Sequence, residues 1–544
     1  MMINYLNVLL ALFIWVSAEA WAQTNERASD SAGGYSIYRE GKLLSGKPLQ
    51  AEREHGVKVE GAACVSCHRR SGLGMNEGRI TIPPITGKYL FHPGERPMPE
   101  DSMAAGSRPS LRRERYTDQT LARAIREGID ADGRPLSFLM PRFALGEADM
   151  ATLISYLKTL SSGHAPGVGD EFLEFATIFT PDADPIIRQG TIDVLTHFFA
   201  NKNDFERMHD PPLVAQRRIH YRVTRKWRLH VWDLRGEPGA WAEQLSEKLR
   251  KEPVFAVISG AGGRDWAPVH QFCESEQLPC LFPEVELPVV DESDFYSVYY
   301  SRGVLLEADL IAHKIGEVAA PAARVVQVYR KGDIGARAAQ TLTRTARTGS
   351  AGPSWAESIV AEQSQDGDVK KALAAVRSGD VVVLWLRAQD LRALPEVPPA
   401  GVSQVMLSGL MGGLEAAPLP PAWRDVALMA YPFELPQKRA VLLNYPLRWF
   451  KIQRIPVIDE RAQVDAYIAC QVLAEAVGHA YGEFVRDYLL EQIENSVSFR
   501  PINGYYSRLG LAPGQRFASK GGYLVRMAAG SGTQLTAEAD WVVP

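Results

Sequence analysis

The chain has 544 residues, of which 46% are hydrophobic and 23% are charged, and its formal net charge is −4. This length is too great for one ordinary domain, and the average composition, without low-complexity tracts or solenoid repeats, excludes extensive disorder and repeat architectures. The charge is uneven, with +3 over residues 23–165 and −6 over residues 166–544. The asymmetry indicates either different partners for the two parts or ordinary solvated surfaces.

Residues 1–22 are predicted to be a secretory signal peptide. The apolar run 8–16 is followed by Ala20-Trp21-Ala22, which offers small residues at an A-x-A cleavage site. Residues 1–7 contain no Lys or Arg, so an uncleaved membrane anchor is the alternative, although the apolar run is short for a membrane span. We expect cleavage after Ala22, no later transmembrane segment, and a periplasmic location, where oxidising conditions favour disulfides.

The pentapeptide Cys64-Val65-Ser66-Cys67-His68 reads C-x-x-C-H, the attachment signature of a c-type haem. Two thiols three positions apart can each add across a haem vinyl group, and the adjacent His68 can reach the iron from the proximal side. The alternatives are a thioredoxin-like redox pair, which needs a βαβ context, and half of a zinc site, which needs a second Cys/His pair nearby. Neither context is present in the sequence, so we expect one covalent haem c.

Two segments after His68 are predicted to surround the haem. Arg69 and Arg70 belong to a turn-rich basic loop that could pair with haem propionates or with an acidic redox partner, or could simply be solvated. The Pro-rich segment 82–87 follows, and a proximal histidine usually donates its second N–H to a backbone carbonyl. Pro83 or Pro84 is the predicted acceptor.

The sequence predicts two helices later in this part of the chain. The first covers residues 117–129, and the second carries an apolar stripe that includes Met150 and Leu157. Met140 lies in a Pro-flanked loop before the second helix and is the predicted sixth ligand, because a thioether there gives a Met/His-ligated cytochrome. A five-coordinate iron is one alternative, and the other candidate ligands are Met75, Met98, Met103, Met150 and His92.

This part of the chain resembles the class I cytochrome c family. The resemblance rests on the C-x-x-C-H motif, the loop 83–87, Met140-Pro141 and the closing Leu-rich helix, and it extends from near Tyr35 to Leu160. It implies an all-α domain over residues 35–162, built around covalent haem c, and a role in one-electron transfer. The long insert 91–115 departs from the shortest members of the family.

The composition of residues 161–169 indicates a linker, and strand and helix patterns alternate beyond it. Continuous Val- and Ile-rich strands between helices are typical of a parallel sheet covered on both faces, so we expect an α/β domain. The predicted strands are 172–179, 229–234, 254–258, 325–329, 381–386 and 405–407, and the predicted helices are 186–199, 239–249 and a long one over 460–493.

Residues 171–544 resemble the type I periplasmic binding-protein fold of branched-chain amino-acid receptors. The matching features are the opening strand and helix, the segment 254–260, the segments 295–297 and 301–303 before a helix, and the late strand 523–526. The resemblance implies two lobes that close on a small ligand. We therefore expect a multidomain chain, an all-α cytochrome c domain followed by a two-lobed α/β periplasmic binding protein-like domain.

A candidate ligand site lies early in this larger domain. Ser259 and Gly260 are predicted at the carboxyl end of a strand, where free backbone N–H groups suit a carboxylate. Ser301 and Arg302 could complete a site for a small anionic or amino-acid-like ligand, whereas the alternative is a glycine-rich turn without a ligand. The stretch 259–263 does not read G-x-G-x-x-G, so dinucleotide binding is poorly supported.

The three remaining cysteines are predicted to have structural roles. Cys273 and Cys280 are seven positions apart, and in an exported protein a small-loop disulfide is favoured over two reduced thiols. Cys470 falls inside the long predicted helix and is expected to be a buried, unpaired apolar residue.

These features together predict a periplasmic mono-haem c-type cytochrome with an appended small-ligand-binding domain. We expect electron transfer and binding rather than catalysis, because the sequence contains no Walker A, G-x-S-x-G or H-E-x-x-H motif. The expected partners are redox proteins and a small ligand, with no nucleic acid. The alternatives are a sensor of ligand and redox state, and an electron-transfer subunit of a periplasmic dehydrogenase system.

Overall fold

The structure is a computed structural model, and it divides into two compact units, Met1–His164 and Ala165–Pro544. The boundary falls inside the segment 161–169 that reads as a linker. The predicted signal peptide lies outside the described residues. The residues that the structure describes are 31–53, 56–59, 61–77, 80–95, 112–163, 165–208, 225–291, 293–318, 324–346, 354–360, 367–480, 482–499, 504–506, 508–527 and 534–544.

Short helices surround one hydrophobic cluster in the first unit. These helices are α1 (Ser36–Glu40), α2 (Val65–His68), α3 (Gly87–Leu90), α4 (Asp118–Glu127) and α5 (Glu147–Thr159). A capping box between Thr117 and Thr120 begins α4 and satisfies backbone N–H groups that a helix start leaves unpaired. The predicted apolar stripe of α5 is buried in the cluster, with Met150 2% exposed and Leu153 1% exposed.

The first unit also contains short strands, so it differs from the predicted all-α domain. The strands in its described part are β1 (Ala51–Glu52), β2 (Lys58–Val59), β3 (Met75–Glu77), β4 (Ile80–Ile82), β5 (Gly94–Glu95), β6 (Arg112–Arg113) and β7 (Arg142–Phe143). They form an antiparallel sheet in the order β2-β1-β7 and the antiparallel pairs β3–β4 and β5–β6. Ala51 and Phe143 are buried in the central cluster, so the small sheet ties loops to the helices.

Two seven-stranded sheets form the second unit, which confirms the predicted α/β class. The strands of the first sheet are β8 (Phe172–Phe179), β9 (Lys226–Asp233), β10 (Ala256–Ile258), β11 (Ala261–Gly262), β12 (Cys280–Leu281), β13 (Glu284–Val285) and β14 (Ser297–Val298). This sheet is parallel throughout, in the order β13-β11-β8-β10-β12-β14, with β9 also paired to β8.

The second sheet has the order β16-β15-β17-β18-β19-β20-β21, and its last two strands run antiparallel. Its strands are β15 (Arg324–Arg330), β16 (Ser354–Val360), β17 (Val381–Trp385), β18 (Gln404–Ser408), β19 (Ala427–Tyr431), β20 (Tyr523–Met527) and β21 (Leu535–Ala537). Central strands such as β17 are buried at every position, which explains their unbroken Val-rich sequence.

Helices cover both sheets of the second unit. They are α6 (Pro185–Met208), α7 (Trp241–Lys251), α8 (Ala267–Ser275), α9 (Val304–Val318), α10 (Gly335–Ala346), α11 (Gly367–Leu373), α12 (Ala388–Arg392), α13 (Gly409–Gly412), α14 (Pro421–Arg424), α15 (Pro436–Leu442), α16 (Asn444–Gln453), α17 (Glu460–His479) and α18 (Arg486–Phe499). The single helical turns Pro238–Ala240 and Leu414–Ala416 add to these. Among the described helices, none combines the length and the apolar character of a membrane-spanning segment.

The long helix predicted over residues 460–493 is in fact two helices, α17 and α18. Asp459 caps α17, since its carboxylate accepts a hydrogen bond from Ala462 N–H at 2.8 Å. Gly482 has a φ of +88°, a left-handed conformation that interrupts the helix between the two. Both helices contribute to a large buried cluster that also contains residues of both sheets, such as Phe175 and Val328.

Candidate functional site

Cys64, Cys67 and His68 lie on a single helical turn in the first unit. The N–H groups of Cys67 and His68 donate to Cys64 O at 3.3 Å and 2.9 Å, which closes the turn. Residues three positions apart share one face of a helix, so both sulfur atoms are presented together. Both residues are partly buried free thiols, and burial raises the pKa of the Cys64 thiol to about 12.

The His68 imidazole is buried and oriented by a backbone carbonyl. His68 is only 5% exposed, and its Nδ1 lies 3.0 Å from Pro83 O. Because a carbonyl only accepts, Nδ1–H is the donor and the neutral ring keeps its lone pair on Nε2. Burial lowers the pKa of His68 to about 4, and the hydrogen bond to Pro83 opposes this only in part. The predicted hydrogen bond is thus confirmed, with Pro83 rather than Pro84 as the acceptor.

Gly74 allows the segment that carries Pro83 to reach His68. Gly74 has a φ of +76°, and a Cβ there would lie 2.1 Å from Ile82 O and 2.9 Å from Pro83 O. Its N–H also donates to His68 O at 3.3 Å. Main-chain contact between the two loops therefore sets the position of the carbonyl that orients the imidazole.

The basic loop after His68 is held by its backbone. Tyr38 Oη donates to Arg69 O at 2.7 Å, and Arg39 Nη2 donates to Arg70 O at 3.2 Å. Ser161, just after α5, donates to Ser71 O at 2.7 Å. Arg69 is buried and Arg70 half-buried. The loop is therefore fixed to both ends of the unit, while the pairing of these two arginines with haem propionates stays a prediction.

Met140 occupies the loop between α4 and β7 and is half-buried. Its side chain packs against the same hydrophobic cluster as Cys64 and Ile85. Its N–H donates to Ser137 O at 3.0 Å, and the Arg142 guanidinium donates to its carbonyl. Among the rival ligands, Met150 is buried in α5 as expected, Met75 lies in β3, His92 is exposed, and Met98 and Met103 fall outside the described residues.

These donors fit a covalently attached haem. Two free thiols on one face can form the thioethers, and the neutral imidazole offers Nε2, to which no described residue hydrogen bonds. Thioether sulfur and imidazole nitrogen are both ligands of haem iron in c-type cytochromes. Cys64 and Cys67 would hold the group, and His68, already oriented by Pro83, would bind the metal without reorganising.

In the second unit, Ser259 and Gly260 follow the carboxyl end of β10, as predicted, and form a kink before β11. The short strands β10 and β11, before and after the kink, both pair with β8. Ser259 has a φ of +51° and Gly260 a φ of +99°. A left-handed serine is strained, and such strain concentrates at functional sites. Ser259 is 3% exposed, and its Oγ has no hydrogen-bond partner among the described residues.

Polar side chains collect beside this kink, and we call them the kink cluster. Glu284 N–H donates to Gly260 O at 2.9 Å, which places the next strand against the kink. Arg461 of α17 pairs with Glu284 at 2.6 Å, and Tyr300 Oη donates to Asp465 O at 2.6 Å. The kink cluster consists of Ser259, Glu284, Tyr300, Arg461, Asp465 and Tyr506.

Asp465 is the buried acid of the kink cluster. It is 4% exposed, and its Oδ2 has no hydrogen-bond partner among the described residues and lies 3.7 Å from Arg461 Nη1. Burial raises the pKa of Asp465, and the positive charge of Arg461 opposes this rise only in part, because Arg461 also pairs with Glu284. Sequence reasoning missed these three charged residues, although an Asp inside the apolar run 464–470 was a usable signal.

The other predicted ligand residues have different surroundings. Ser301 is buried, its Oγ accepts from Gly303 N–H at 3.1 Å, and it hydrogen bonds to Tyr506 of the kink cluster. Arg302 instead pairs with Asp309 at 2.5 Å. The charge of Arg302 is therefore already balanced, while its contribution to the predicted ligand site stays a prediction.

Cys273 and Cys280 are free thiols in the structure rather than the predicted disulfide. Both are fully buried, and a hydrogen bond between the two side chains, together with burial, raises the pKa of Cys273. Cys470 is fully buried within α17, as expected.

One arginine joins the two sheets of the second unit. Arg387, just after β17, forms two hydrogen bonds with Glu286 at 2.7 Å and 2.8 Å. It forms two more with Asp333 at 2.6 Å and 2.7 Å. Glu286 follows β13 of the first sheet and Asp333 follows β15 of the second, so this guanidinium links the two sheets.

Comparison with known proteins identifies the first unit. Residues 54–161 match the family model described as Cytochrome c, and this span contains Cys64, Cys67, His68 and Met140. The chain therefore carries a cytochrome c domain, and this family implies covalently bound haem c and electron transfer. No curated protein matches the chain.

Three solved structures are similar to this chain at low identity. A fatty acid ABC transporter substrate-binding protein from Thermomonospora curvata is 15% identical, covers 70% of this chain and 95% of its own, and gives a TM-score of 0.49. A possible leucine/isoleucine/valine-binding protein from Rhodopirellula baltica is 14% identical, with 68% and 97% covered and a TM-score of 0.48. A branched chain amino acid ABC transporter from Thermus thermophilus with bound valine is 12% identical, with 69% and 98% covered and a TM-score of 0.47.

Proposed function

We propose that the first unit is a mono-haem, class I c-type cytochrome of the periplasm, which passes single electrons between redox partner proteins. Cys64 and Cys67 hold the haem through thioethers, and His68 and Met140 are the axial ligands. Bound haem c supplies a one-electron iron couple, and the side chains of the protein make and break no substrate bond. The chain is accordingly an electron-transfer and binding protein rather than an enzyme.

The hydrogen bond from His68 Nδ1 to Pro83 O carries this proposal. It fixes the neutral tautomer that leaves Nε2 for the metal, on the same turn as the two thiols. A structural histidine in a core would need partners at both ring nitrogens, and no described residue contacts Nε2 through a hydrogen bond. The arrangement supports metal ligation, with a carbonyl as the outer partner.

The decisive experiment is to express the full chain with a haem c attachment system and to extract it with acid acetone. We expect the haem to stay with the protein and the intact mass to rise by one haem. Haem released into the extract would contradict covalent attachment, and a gain of two haems would contradict the mono-haem assignment. A signal-cleaved N-terminus at Gln23 in the same spectrum supports export, whereas an intact Met1 supports the anchor.

We further propose that the second unit is two-lobed, with one sheet in each lobe, and binds a small zwitterionic ligand at the kink cluster. Two buried polar atoms, Ser259 Oγ and Asp465 Oδ2, have no hydrogen-bond partner among the described residues. The Ser259 hydroxyl can donate to a ligand carboxylate, and Asp465 Oδ2, which accepts no hydrogen bond from a described residue, can accept from a ligand ammonium group. Ser301 and the backbone at Gly260 would contribute further hydrogen bonds.

A thermal-shift screen of single amino acids and short carboxylates tests this second proposal. A compound that binds only the folded state raises the melting temperature by mass action. Ser259→Ala should reduce that rise, whereas Ser403→Ala, at an exposed position, should not. Because Asp309 balances Arg302, Arg302→Ala should have a smaller effect than Ser259→Ala. An undiminished rise in Ser259→Ala would place the ligand elsewhere.

A further inference from the structure

A strongly basic stretch with exposed apolar side chains lies in the second unit, just before α17, which carries Arg461 and Asp465 of the kink cluster. Between Glu434 and Asp459 the chain contains five cationic residues and no acidic one. This composition is unusual in a part of the chain whose net charge is −6. The stretch forms α15 and α16, which are nearly continuous because Leu443 N–H donates to Arg439 O and Leu447 N–H donates to Leu443 O.

Opposite faces of this helix pair have opposite surroundings. Leu443, Pro446 and Phe450 are buried, and Trp449 packs on Tyr467 of α17 with ring centroids 4.9 Å apart. On the other face the spacing of three and four residues brings one set of side chains together. We call this set the α15–α16 face, and it consists of Lys438, Val441, Tyr445, Arg448, Lys451 and Ile452.

The apolar members of the α15–α16 face are largely exposed, and the Tyr445 ring, at the edge of this face, also contacts Tyr467 of α17, with ring centroids 6.4 Å apart. Val441 is 74% exposed, Tyr445 61% and Ile452 74%. None of the three cations, Lys438, Arg448 and Lys451, forms an ion pair with the described part of the chain. Exposed apolar side chains interspersed with uncompensated positive charge favour an interaction surface, in which Tyr and Arg are the preferred anchors.

We propose that the α15–α16 face is the docking surface for a second protein that presents acidic side chains around an apolar centre. A second copy of this chain using the same face would bring like charges together, which disfavours self-association. An anionic bilayer would receive Val441 and Ile452, but Arg448 lies between Tyr445 and Ile452 on the same stripe and would be drawn into the apolar layer. A protein can place a carboxylate at that central position.

The first arm of the test uses the haem-loaded full chain in the producing cell, with a photoreactive phenylalanine in place of Tyr445. The matched control carries the same group at Val397, which is 64% exposed and lies outside α15 and α16. We expect one acidic protein to cross-link through position 445 and not through position 397. No cross-link at 445, or equal cross-linking at both positions, would overturn the proposal.

The second arm measures the affinity of the purified cross-linked protein for the full chain. Arg448→Glu should weaken binding about tenfold or more, whereas Lys370→Glu, the same charge change at another exposed position, should leave it unchanged. Equal effects of the two substitutions would overturn the proposal. Binding to anionic phospholipid vesicles, or a dimer in sedimentation, that is lost in Arg448→Glu would overturn it in favour of a membrane or a second copy.

Discussion

The haem turn of the first unit and the kink cluster of the second are both buried polar sites, but they are assembled in different ways. The haem turn takes its reactive atoms from five consecutive residues, and one long-range contact, His68 with Pro83, orients them. The kink cluster takes its atoms from four separate strands or loops and from α17, so no short sequence contains it. A site built from consecutive residues can be predicted from the sequence. A site built from distant segments can be identified only once the pairing of the strands is known.

The largest effect is expected when both haem-attaching cysteines of the first unit are removed. The double substitution Cys64→Ala and Cys67→Ala should reduce covalent haem to background, because no other thiol of the first unit can form a thioether. Cys470→Ala is the matched control and should retain full haem content. The measurement is haem absorbance of the protein after acid-acetone extraction. Retained covalent haem in the double variant would refute the attachment site.

Met140→Ala should alter the iron without removing the haem. Loss of a soft sulfur ligand favours ferric iron, so the reduction potential should fall and the ferrous protein should bind carbon monoxide. The weak red absorption band of a sulfur–iron bond in the ferric state should also disappear. Met75→Leu serves as the control, and redox titration with visible spectroscopy makes both measurements. A persistent band in Met140→Ala would assign the ligand to another methionine, with Met98 and Met103 next.

Comparing Gly74→Ala with Gly133→Ala distinguishes the cost of a left-handed backbone from the cost of displacing Pro83 O, the carbonyl that orients His68. Both glycines are left-handed, with φ of +76° and +81°, but a Cβ at Gly133 meets nothing within 4 Å. Gly133→Ala should cost about 1 kcal/mol of unfolding free energy. Gly74→Ala should cost at least about 3 kcal/mol and should also shift the reduction potential, because Pro83 must move. Equal losses in denaturant titrations would show that Gly74 matters only for its φ.

The substitution Asp465→Asn tests the kink cluster, and its expected effect is the smallest of the four. The raised pKa of Asp465 means that the folded protein holds this proton more tightly than the unfolded chain. Unfolding free energy should therefore fall as pH rises above about 4, until the folded-state pKa is passed. Asp465→Asn should remove that slope, stabilise the protein at neutral pH by ~1 kcal/mol and abolish the ligand-induced thermal shift. Destabilisation by Asp465→Asn that is greater at pH 7 than at pH 4 would show instead that the carboxylate is charged and well paired.

Much of the fold could be predicted because its signals are local. The first strand of the second unit has the predicted bounds, Phe172–Phe179, since its sequence is mostly apolar and rich in phenylalanine. The buried stripe of α5 was predicted for the same reason, because its apolar residues recur at helical spacing. The break at Gly482 was missed because apolar periodicity continues on both sides of it, although the glycine itself was a signal.

The features that could not be predicted from the sequence depend on pairing between distant segments. The strained Ser259 arises where one strand hydrogen bonds to β8 on both sides of a kink, and no propensity encodes that register. The balance of Arg302 by Asp309 was open to prediction, since the two are seven positions apart and both are near the start of α9. In the first unit, the anchoring of the loop by Tyr38 and Ser161 spans 31 and 90 positions of sequence.

The position of β20 and β21 in the second sheet has a consequence for biosynthesis. Strand β19 has β20 as its neighbour, and β20 begins only at Tyr523, so its edge stays open until almost the whole chain has been made. The first unit is contiguous within its 164 residues and is complete roughly 20 to 80 s earlier at ordinary rates of synthesis. During that interval the segment that contains the haem turn is already complete. Strand β19, by contrast, has an unpaired edge that can pair with the wrong strand until β20 is made. Chains that stop before Tyr523 should therefore aggregate through their second unit while keeping a native first unit.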